Sequence, residues 1–241
     1  MFPVSRFRGR FRTKTSWSLW TPAQISTSIW FDASDAATIT LNGSTVSQWR
    51  DKSGAARHMS QATAASQPTY IASSINGRAV VSLDGSNDWM SGATGLSGSS
   101  YSVFGVLRLR NATTAQQGAL CNDVSGTAPS VYWQPSSGTL NVYNGTYVAS
   151  GTYTANQIDM IGATQTASTL TVYRSGVVAG TGGAVTAPNN TGWQIGRLGL
   201  GTAPGFNYAS VDWAEMLTLN SVDTATRKII EGYLAWKWGG F

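Results

Sequence analysis

Two carboxylates near the C-terminus have the residue types that acid–base catalysis requires. Asp212 and Glu215 lie in the segment 210–216, whose composition is typical of a β-strand. A retaining glycosidase needs two carboxyl groups about 5–5.5 Å apart on one face of a cleft. Residues three apart in an extended strand face opposite sides, and the alternate neighbours of Glu215 are Trp213 and Leu217. The spacing predicts no catalytic pair, and we expect the protein not to be an enzyme.

The remaining reactive side chains are few. His58 is the single histidine and Cys121 the single cysteine, which excludes a zinc site or histidine triad built by this chain and any intrachain disulfide. We expect His58 to be a polar strand residue and Cys121 to be a small buried side chain. The glycine-rich segment 196–201 lacks the order and the following helix that a nucleotide-binding loop requires.

An oxygen-rich loop is the candidate metal site. Asp84, Asn87 and Asp88 lie within the short segment 83–89. Carboxylate and amide oxygens are the ligands that calcium prefers, but turns favour the same residue types. We favour the turn interpretation, keep calcium as the alternative, and expect no other cofactor.

Aromatic side chains flank an Asn-Gly turn in the middle of the chain. The residues of this candidate glycan site are Tyr132, Trp133, Gln134, Tyr143, Asn144 and Tyr147. Sugar rings stack on Tyr and Trp faces, while amides satisfy the sugar hydroxyls. If the segment is extended, the adjacent Tyr132 and Trp133 cannot both face the core. Two interpretations remain: these aromatics fill the core, which is the commoner role, or they bind a glycan.

The net charge of +5 belongs to a short N-terminal arm. Its cationic and aromatic residues are Arg6, Phe7, Arg8, Arg10, Phe11, Arg12 and Lys14. From Thr15 onward, 11 basic residues face 11 acidic ones, so the body is formally neutral. In an extended arm the cations would share one edge at a spacing of about 6.7 Å, with both Phe on the other. An acidic, partly apolar protein surface matches both edges; DNA or RNA, or folding back onto the domain, are the alternatives.

The pattern along the chain indicates an arm over 1–16 and one domain over 17–241. Strands are predicted over 28–32, 38–41, 45–49, 78–83, 101–109, 130–133, 139–143, 147–149, 158–163, 169–174, 192–197 and 210–219. A helix is predicted over 221–238, with Asn220, Ser221 or Asp223 as its N-cap and Gly239 at its end. The fold class is therefore all-β: a two-sheet antiparallel sandwich with one C-terminal helix packed outside it.

Several motifs resemble those of concanavalin A-like lectin/glucanase domains of the laminin-G type. They are IWFDASD at 29–35, VSQWRDKSG at 46–54, NGR at 76–78, LDGSNDW at 83–89, WAEML at 213–217 and EGYLAWKWG at 231–239. The resemblance covers Trp17 to the C-terminus and implies a jelly roll that often recognises carbohydrate or protein. It also implies that the tryptophans of these motifs belong to the core: Trp30, Trp49, Trp213, Trp236 and Trp238.

The functional prediction combines this fold with the arm. The N-terminus has no apolar stretch typical of a Sec signal peptide. Single domains of this kind with a short arm resemble phage-encoded virion components. We expect a non-enzymatic virion protein (capsid decoration, head fibre or tail), made in the host cytoplasm, present in several copies, anchored by its arm and without a membrane partner, whose domain binds host-surface glycans. The alternatives are a bacterial carbohydrate-binding module exported by a non-Sec route and a degenerate glycoside hydrolase.

Overall fold

The structure is a computed structural model that describes residues 19–93, 95–96, 100–111, 119–121, 132–136, 139–143, 147–183, 192–198 and 208–239. For Cys121 and residues 132–136 it describes the backbone alone. The arm and Asn144 lie outside the described residues. The predicted anchoring role of the arm therefore remains a prediction.

Within the described residues the chain is built from strands, with one α-helix at the C-terminus. The strands are β1 Ile29–Asp32, β2 Ile39–Asn42, β3 Thr45–Trp49, β4 Met59–Ser60, β5 Thr69–Ile75, β6 Arg78–Asp84, β7 Met90–Gly92, β8 Tyr101–Leu109, β9 Leu120–Cys121, β10 Tyr132–Ser136, β11 Thr139–Tyr143, β12 Tyr147–Thr152, β13 Ile158–Gln165, β14 Leu170–Arg174, β15 Val177–Gly182, β16 Trp193–Ile195 and β17 Ser210–Leu219. The helix α1 spans Thr224–Trp238, and 3₁₀ turns span Pro22–Gln24, Ala36–Thr38 and Ala64–Ser66.

These strands form two antiparallel sheets. The first sheet runs β5–β6–β17–β8–β13–β14–β15, and β1 pairs with the end of β17 that β6 leaves free. The second sheet runs β2–β3–β4–β7–β16–β9–β10–β11–β12. One bridge between Thr45 of β3 and Thr69 of β5 joins the sheets at an edge. The predicted all-β sandwich is confirmed.

Two apolar clusters hold the layers together. The larger lies between the sheets and contains Trp49, Trp193 and Trp213, all fully buried. The smaller covers the outer face of the first sheet, where Leu234 and Trp238 of α1 pack on the strands. The helix therefore closes one outer face of the sandwich, as predicted.

The helix ends follow from local chemistry. Asp223 is the N-cap: its Oδ1 accepts a hydrogen bond from the Thr226 amide at 2.8 Å. Gly239 has a φ of 79°, which favours glycine, and ends the helix.

The strands that were not predicted are either very short or largely exposed. The predicted bounds of β3, β8, β11 and β17 are those observed. The strands β4, β5, β7, β9 and β15 were not predicted. Most side chains of β5 and β15 are half-buried or exposed, so neither strand shows the apolar alternation that marks a half-buried strand.

Candidate functional site

The two carboxylates of β17 lie on the same face of their strand, so the prediction of opposite faces was wrong. The register of β17 against β8 shifts between Trp213 and Glu215, which leaves Ala214 as an extra residue. Such a bulge displaces the alternation by one position. Trp213 packs between the sheets, whereas Ala214 packs in the cluster under α1, and Glu215 also contacts α1. Asp212, next to Trp213, faces the same way as Glu215.

Glu215 is completely buried, and its carboxylate is saturated with hydrogen-bond donors. Its Oε1 accepts from the Trp30 indole at 2.7 Å and from the Tyr233 hydroxyl at 3.0 Å. Its Oε2 accepts from the Lys237 ammonium at 2.7 Å and from the Trp238 indole at 2.7 Å. The four donors come from β1 and α1, so Glu215 ties these two elements to β17.

The charge network extends from Glu215 to the loop after β1. Lys237 also lies 2.7 Å from Asp32, and Lys52 lies 3.0 Å from Asp32 and 2.7 Å from Asp35. Burial raises the pKa of Glu215 and the charge of Asp32 adds to this increase, while Lys237 opposes it. Burial also acts on Asp32, but Lys237 and Lys52 bring the pKa of its carboxyl below the ordinary value. Along this network each acidic side chain is therefore next to a basic one.

Asp212 is likewise enclosed and paired. It is fully buried, and its Oδ2 accepts from the Arg108 Nε at 2.9 Å. The Arg110 Nε lies 3.5 Å from the other oxygen, and Arg108 also donates to the Ser74 hydroxyl at 2.7 Å. A general acid or base must reach a proton of the substrate. Neither Asp212 nor Glu215 reaches solvent, so the arrangement serves to join strands and helix.

In the oxygen-rich loop 83–89, side-chain oxygens accept hydrogen bonds from backbone amides of the same loop. The Asp84 Oδ1 accepts from the amides of Ser86 at 2.8 Å, Asn87 at 3.2 Å and Asp88 at 3.3 Å. The Asp88 Oδ2 accepts from the Asp84 amide at 3.1 Å, and the Asn87 amide group donates to the Ala65 carbonyl at 2.7 Å. Each of the three calcium candidates is therefore engaged in holding the turn.

The two carboxyls of this loop have opposite pKa shifts. Burial raises the pKa of Asp84, but the three amide donors outweigh it and lower the pKa overall. Burial raises the pKa of Asp88 to about 6. Among the residues that the structure describes, no group of three His, Cys, Asp or Glu is placed to hold a metal ion.

Two smaller predictions concern His58 and the glycine-rich segment. His58 lies just before β4, outside any strand, and its Nδ1 accepts from the Asp51 amide at 3.0 Å, so the strand prediction was wrong. Gly196 has a φ of 90°, and a Cβ there would lie 2.1 Å from Leu83 Cδ2 and 2.5 Å from the Asp88 carbonyl oxygen. Glycine is needed at this position for close packing.

One tryptophan of the motifs is not in the core. Trp30, Trp49, Trp213 and Trp238 are at most 5% exposed, whereas Trp236 is 60% exposed. Trp236 lies two positions from Trp238, about 200° around the helix, and therefore on the solvent side. The core prediction was correct for four of these residues and wrong for Trp236.

The exposed aromatic pair lies on the outer face of the second sheet. Tyr143 and Tyr147 are direct cross-strand neighbours, with ring centroids 5.0 Å apart and an interplanar angle of 60°. Tyr147 is 53% exposed, while Leu140, Val142 and Val148 of the same strands are buried in the core. Strand alternation therefore directs this pair, the tyrosine pair, away from the sandwich interior.

For Tyr132, Trp133 and Gln134 of the predicted glycan site the structure describes only the backbone, and Asn144 lies outside the described residues. Tyr132 is in register with Tyr143, Trp133 with Val142, and Gln134 with Asn141. Residues in direct register share a face of a sheet, so Tyr132 occupies the position beside the tyrosine pair. Trp133 occupies a position in the row of the buried Val142.

The chain is similar to known proteins in its structure and not in its sequence. No protein-family model and no curated protein matches the chain. The sialidase of Trypanosoma rangeli in complex with sialic acid is similar, with a TM-score of 0.65 and 12% identity, over 88% of this chain and 33% of the sialidase. This chain thus spans one third of that enzyme.

Two further solved structures are domains. Domain 4 of AbnA, a GH43 extracellular arabinanase from Geobacillus stearothermophilus, was solved in complex with arabinotriose; it is similar with a TM-score of 0.57 and 13% identity, over 86% of this chain and 97% of the domain. The binding domain of Paraclostridial Mosquitocidal Protein 1 has a TM-score of 0.59 and 10% identity, over 82% of this chain and 51% of that one. These likenesses show a lectin-like sandwich fold. None of the three neighbours is a phage protein, so they add no support to the virion interpretation.

Proposed function

We propose that the domain is a non-catalytic module that binds carbohydrate through the outer face of its second sheet. The observation that carries the proposal is the tyrosine pair, two mutually tilted rings of which Tyr147 is exposed to solvent. The C–H face of a sugar ring stacks on such a surface. Asn141 precedes Tyr143 by two positions, so it shares that face, and it adds an amide donor and acceptor beside the rings.

The charge of the domain favours a neutral glycan. The body from Thr15 onward is formally neutral, and its buried acids Asp32, Asp212 and Glu215 are paired with basic side chains. A cationic surface would favour phosphate or carboxylate ligands, whereas stacking and amide hydrogen bonds suit neutral sugars. The arabinanase domain matched over nearly its whole length holds arabinotriose, and this supports the proposal by analogy of fold.

The test is glycan binding by a matched set of variants. We expect the purified protein to bind neutral oligosaccharides on a glycan array, with affinity then measured by calorimetry. Tyr147→Ala should weaken binding about tenfold because it removes the exposed ring, and Tyr147→Phe should retain most of it. Val178→Ala, an exposed apolar residue of β15, serves as the control. Unchanged binding by a folded Tyr147→Ala variant would refute the proposed site.

We also propose that the arm anchors this domain to an acidic protein surface of a larger particle, with a virion as the particle. The chain enters the domain on the helix side, where the Trp20 ring packs edge-on against Tyr233 with centroids 5.8 Å apart. Leu19, Trp20, Ile229 and Trp236 line a groove of about 180 Å³ at this point of entry. A cationic arm carrying Phe residues and an adjoining apolar groove together suit a partner that is both acidic and apolar.

This arrangement separates anchoring from recognition. The helix covers the outer face of the first sheet, whereas the tyrosine pair lies on the outer face of the second. A domain held by its helix side would present the tyrosine pair outward. Two alternatives remain. A bacterial module exported by a non-Sec route would not be part of a particle, and a degenerate hydrolase would release reducing sugar.

The anchor is tested by truncation. Deletion of residues 1–14 should abolish incorporation into the particle while the melting temperature of the domain stays unchanged, because the arm precedes the core. Replacement of the four arm arginines by lysine keeps the charge and is the control. Normal incorporation of the truncated protein would refute the anchor.

A further inference from the structure

A polar cavity opens on the outer face of the first sheet, beside the N-terminus of α1. Its volume is about 310 Å³, at the lower end of the range for small-molecule sites. Its floor includes Ser102 of β8, Thr164 of β13 and Thr171 of β14. Thr164 is in direct register with both of the others, so the three side chains form one row across adjacent strands. Cross-strand neighbours have Cβ atoms about 4.5–5.5 Å apart. We refer to these residues as the hydroxyl row.

The hydroxyl row is available for a ligand. Ser102 is 1% exposed and the two threonines are half-buried. Within the part of the chain that the structure describes, none of the three hydroxyls makes a hydrogen bond, although the cavity reaches all of them. Each of these hydroxyls lines the cavity, and each one can both donate and accept a hydrogen bond. The row therefore offers three neighbouring groups with both capacities.

The walls of the cavity are fixed by α1 and β14. The Arg227 guanidinium lies over the Tyr173 ring, 4.1 Å from its centroid, and pairs with Glu231 at 2.5 Å. Asp223 and Thr224, at the start of the helix, also line the cavity. The Asp223 carboxylate is already held by the Thr226 amide and hydroxyl, at 2.8 and 3.1 Å. These contacts keep the walls in place without using the hydroxyl row.

The charges around the cavity disfavour an anion. Glu231 neutralises Arg227, and the Asp223 carboxylate adds a negative charge at the rim. A phosphate or a sugar acid would therefore find no free cation among the lining residues. A neutral ligand with several hydroxyls complements groups that both donate and accept.

We propose that this cavity is a second carbohydrate site, which binds a neutral monosaccharide unit through the hydroxyl row. It lies on the opposite side of the sandwich from the tyrosine pair, and it does not depend on the site proposed there. Recognition is by hydrogen bonds to hydroxyls, whereas the tyrosine pair offers stacking.

The experiment uses methyl glycosides of glucose, galactose and mannose as probes, with saturation-transfer NMR to detect contact and titration to measure affinity. At least one of them should bind the wild-type protein. Thr164→Val keeps the shape of the central side chain and removes its hydroxyl, and it should weaken binding about five- to tenfold. Ser102→Ala and Thr171→Val should each weaken it as well and provide folded alternatives if Thr164→Val does not fold.

The controls separate the two sites and the two ligand classes. Thr69→Val, an exposed threonine of β5 outside the cavity, should leave binding unchanged, as should Tyr147→Ala. Absence of binding for all three glycosides, or binding that the hydroxyl variants leave unchanged, would overturn the proposal. Tighter binding of N-acetylneuraminic acid than of the neutral glycosides would overturn the assignment to a neutral ligand.

Discussion

The two outer faces of the sandwich use polar and aromatic residues in opposite ways. On the helix side, the outer face of the first sheet buries Glu215 and Asp212 and pairs them with Lys237 and Arg108. On the second sheet, the outer face instead leaves the tyrosine pair in contact with solvent. On the first face the Glu215–Lys237 ion pair attaches the helix, while on the second face the ring of Tyr147 is 53% exposed. Residue type alone therefore does not mark a candidate binding site, because the side chain must also be exposed to solvent.

The helix-covered face illustrates what a buried carboxylate requires from its surroundings. A buried carboxylate is stable only when nearby cations and donors compensate its lost hydration. Glu215 obtains this from four donors and Asp212 from two arginines. In this arrangement neither carboxylate is exposed to solvent.

The largest expected effect comes from removal of the cation shared by two buried acids. Lys237→Met leaves Glu215 and Asp32 without their common partner, and it should destabilise the domain by about 3–5 kcal/mol. Urea unfolding followed by tryptophan fluorescence measures this change. Lys228→Met, an exposed lysine of the same helix, is the matched control and should change stability by less than about 0.5 kcal/mol. A loss at Lys237 no larger than at Lys228 would show that the network does not hold the helix.

A smaller effect distinguishes the two tryptophans on opposite sides of α1. Trp238→Phe removes the indole donor to Glu215 and should cost about 1–3 kcal/mol, because a buried oxygen then loses a partner. Trp236→Phe changes an exposed ring and should cost less than about 0.5 kcal/mol. The measurement is again equilibrium unfolding, and equal losses for the two variants would contradict the asymmetry.

On the outer face of the second sheet, we expect a substitution to change glycan binding and not the stability of the domain. Tyr147→Ala should reduce oligosaccharide affinity about tenfold, equivalent to about 1.4 kcal/mol, while its melting temperature stays near that of the wild type. Titration calorimetry measures the change in affinity, and scanning calorimetry measures the melting temperature. A variant that loses stability as much as binding would place Tyr147 among the structural residues.

The last expected effect is a pH dependence in the loop after β6, which Asp88 closes. Its pKa of about 6 in the folded protein exceeds the usual value of about 3.9 in an unfolded chain. The folded state binds the proton more tightly, so the stability from this group is present below about pH 4 and is lost as the pH rises through about 6.

Asp88→Asn should remove this part of the pH dependence, and unfolding at about pH 4 and about pH 7 measures it. The wild type should lose more stability than Asp88→Asn over that interval. An equal pH dependence in the two proteins would contradict the raised pKa.

Much of the fold could be predicted from the sequence because it depends on neighbours along the chain. The apolar alternation of β8, the turn at Asn42 and Gly43 and the cap at Asp223 are all local patterns. The division of charge between the arm and a neutral body is likewise a property of the sequence itself. The candidate site was predicted in part: the structure brings Tyr143 and Tyr147 together, and the register aligns Tyr132 with them.

The partners of Glu215 were decided by the tertiary structure alone. One of them, Trp30, lies 185 positions away in the sequence, and the bulge at Ala214 turned Glu215 to the helix side against the simple alternation of the strand. The hydroxyl row is also invisible in the sequence, since Ser102, Thr164 and Thr171 meet only through strand register. Periodicity encodes which face of an element is apolar, because that depends on residues a few positions apart. Which distant side chains share a face depends on register and bulges, and these are set by packing across the whole sandwich.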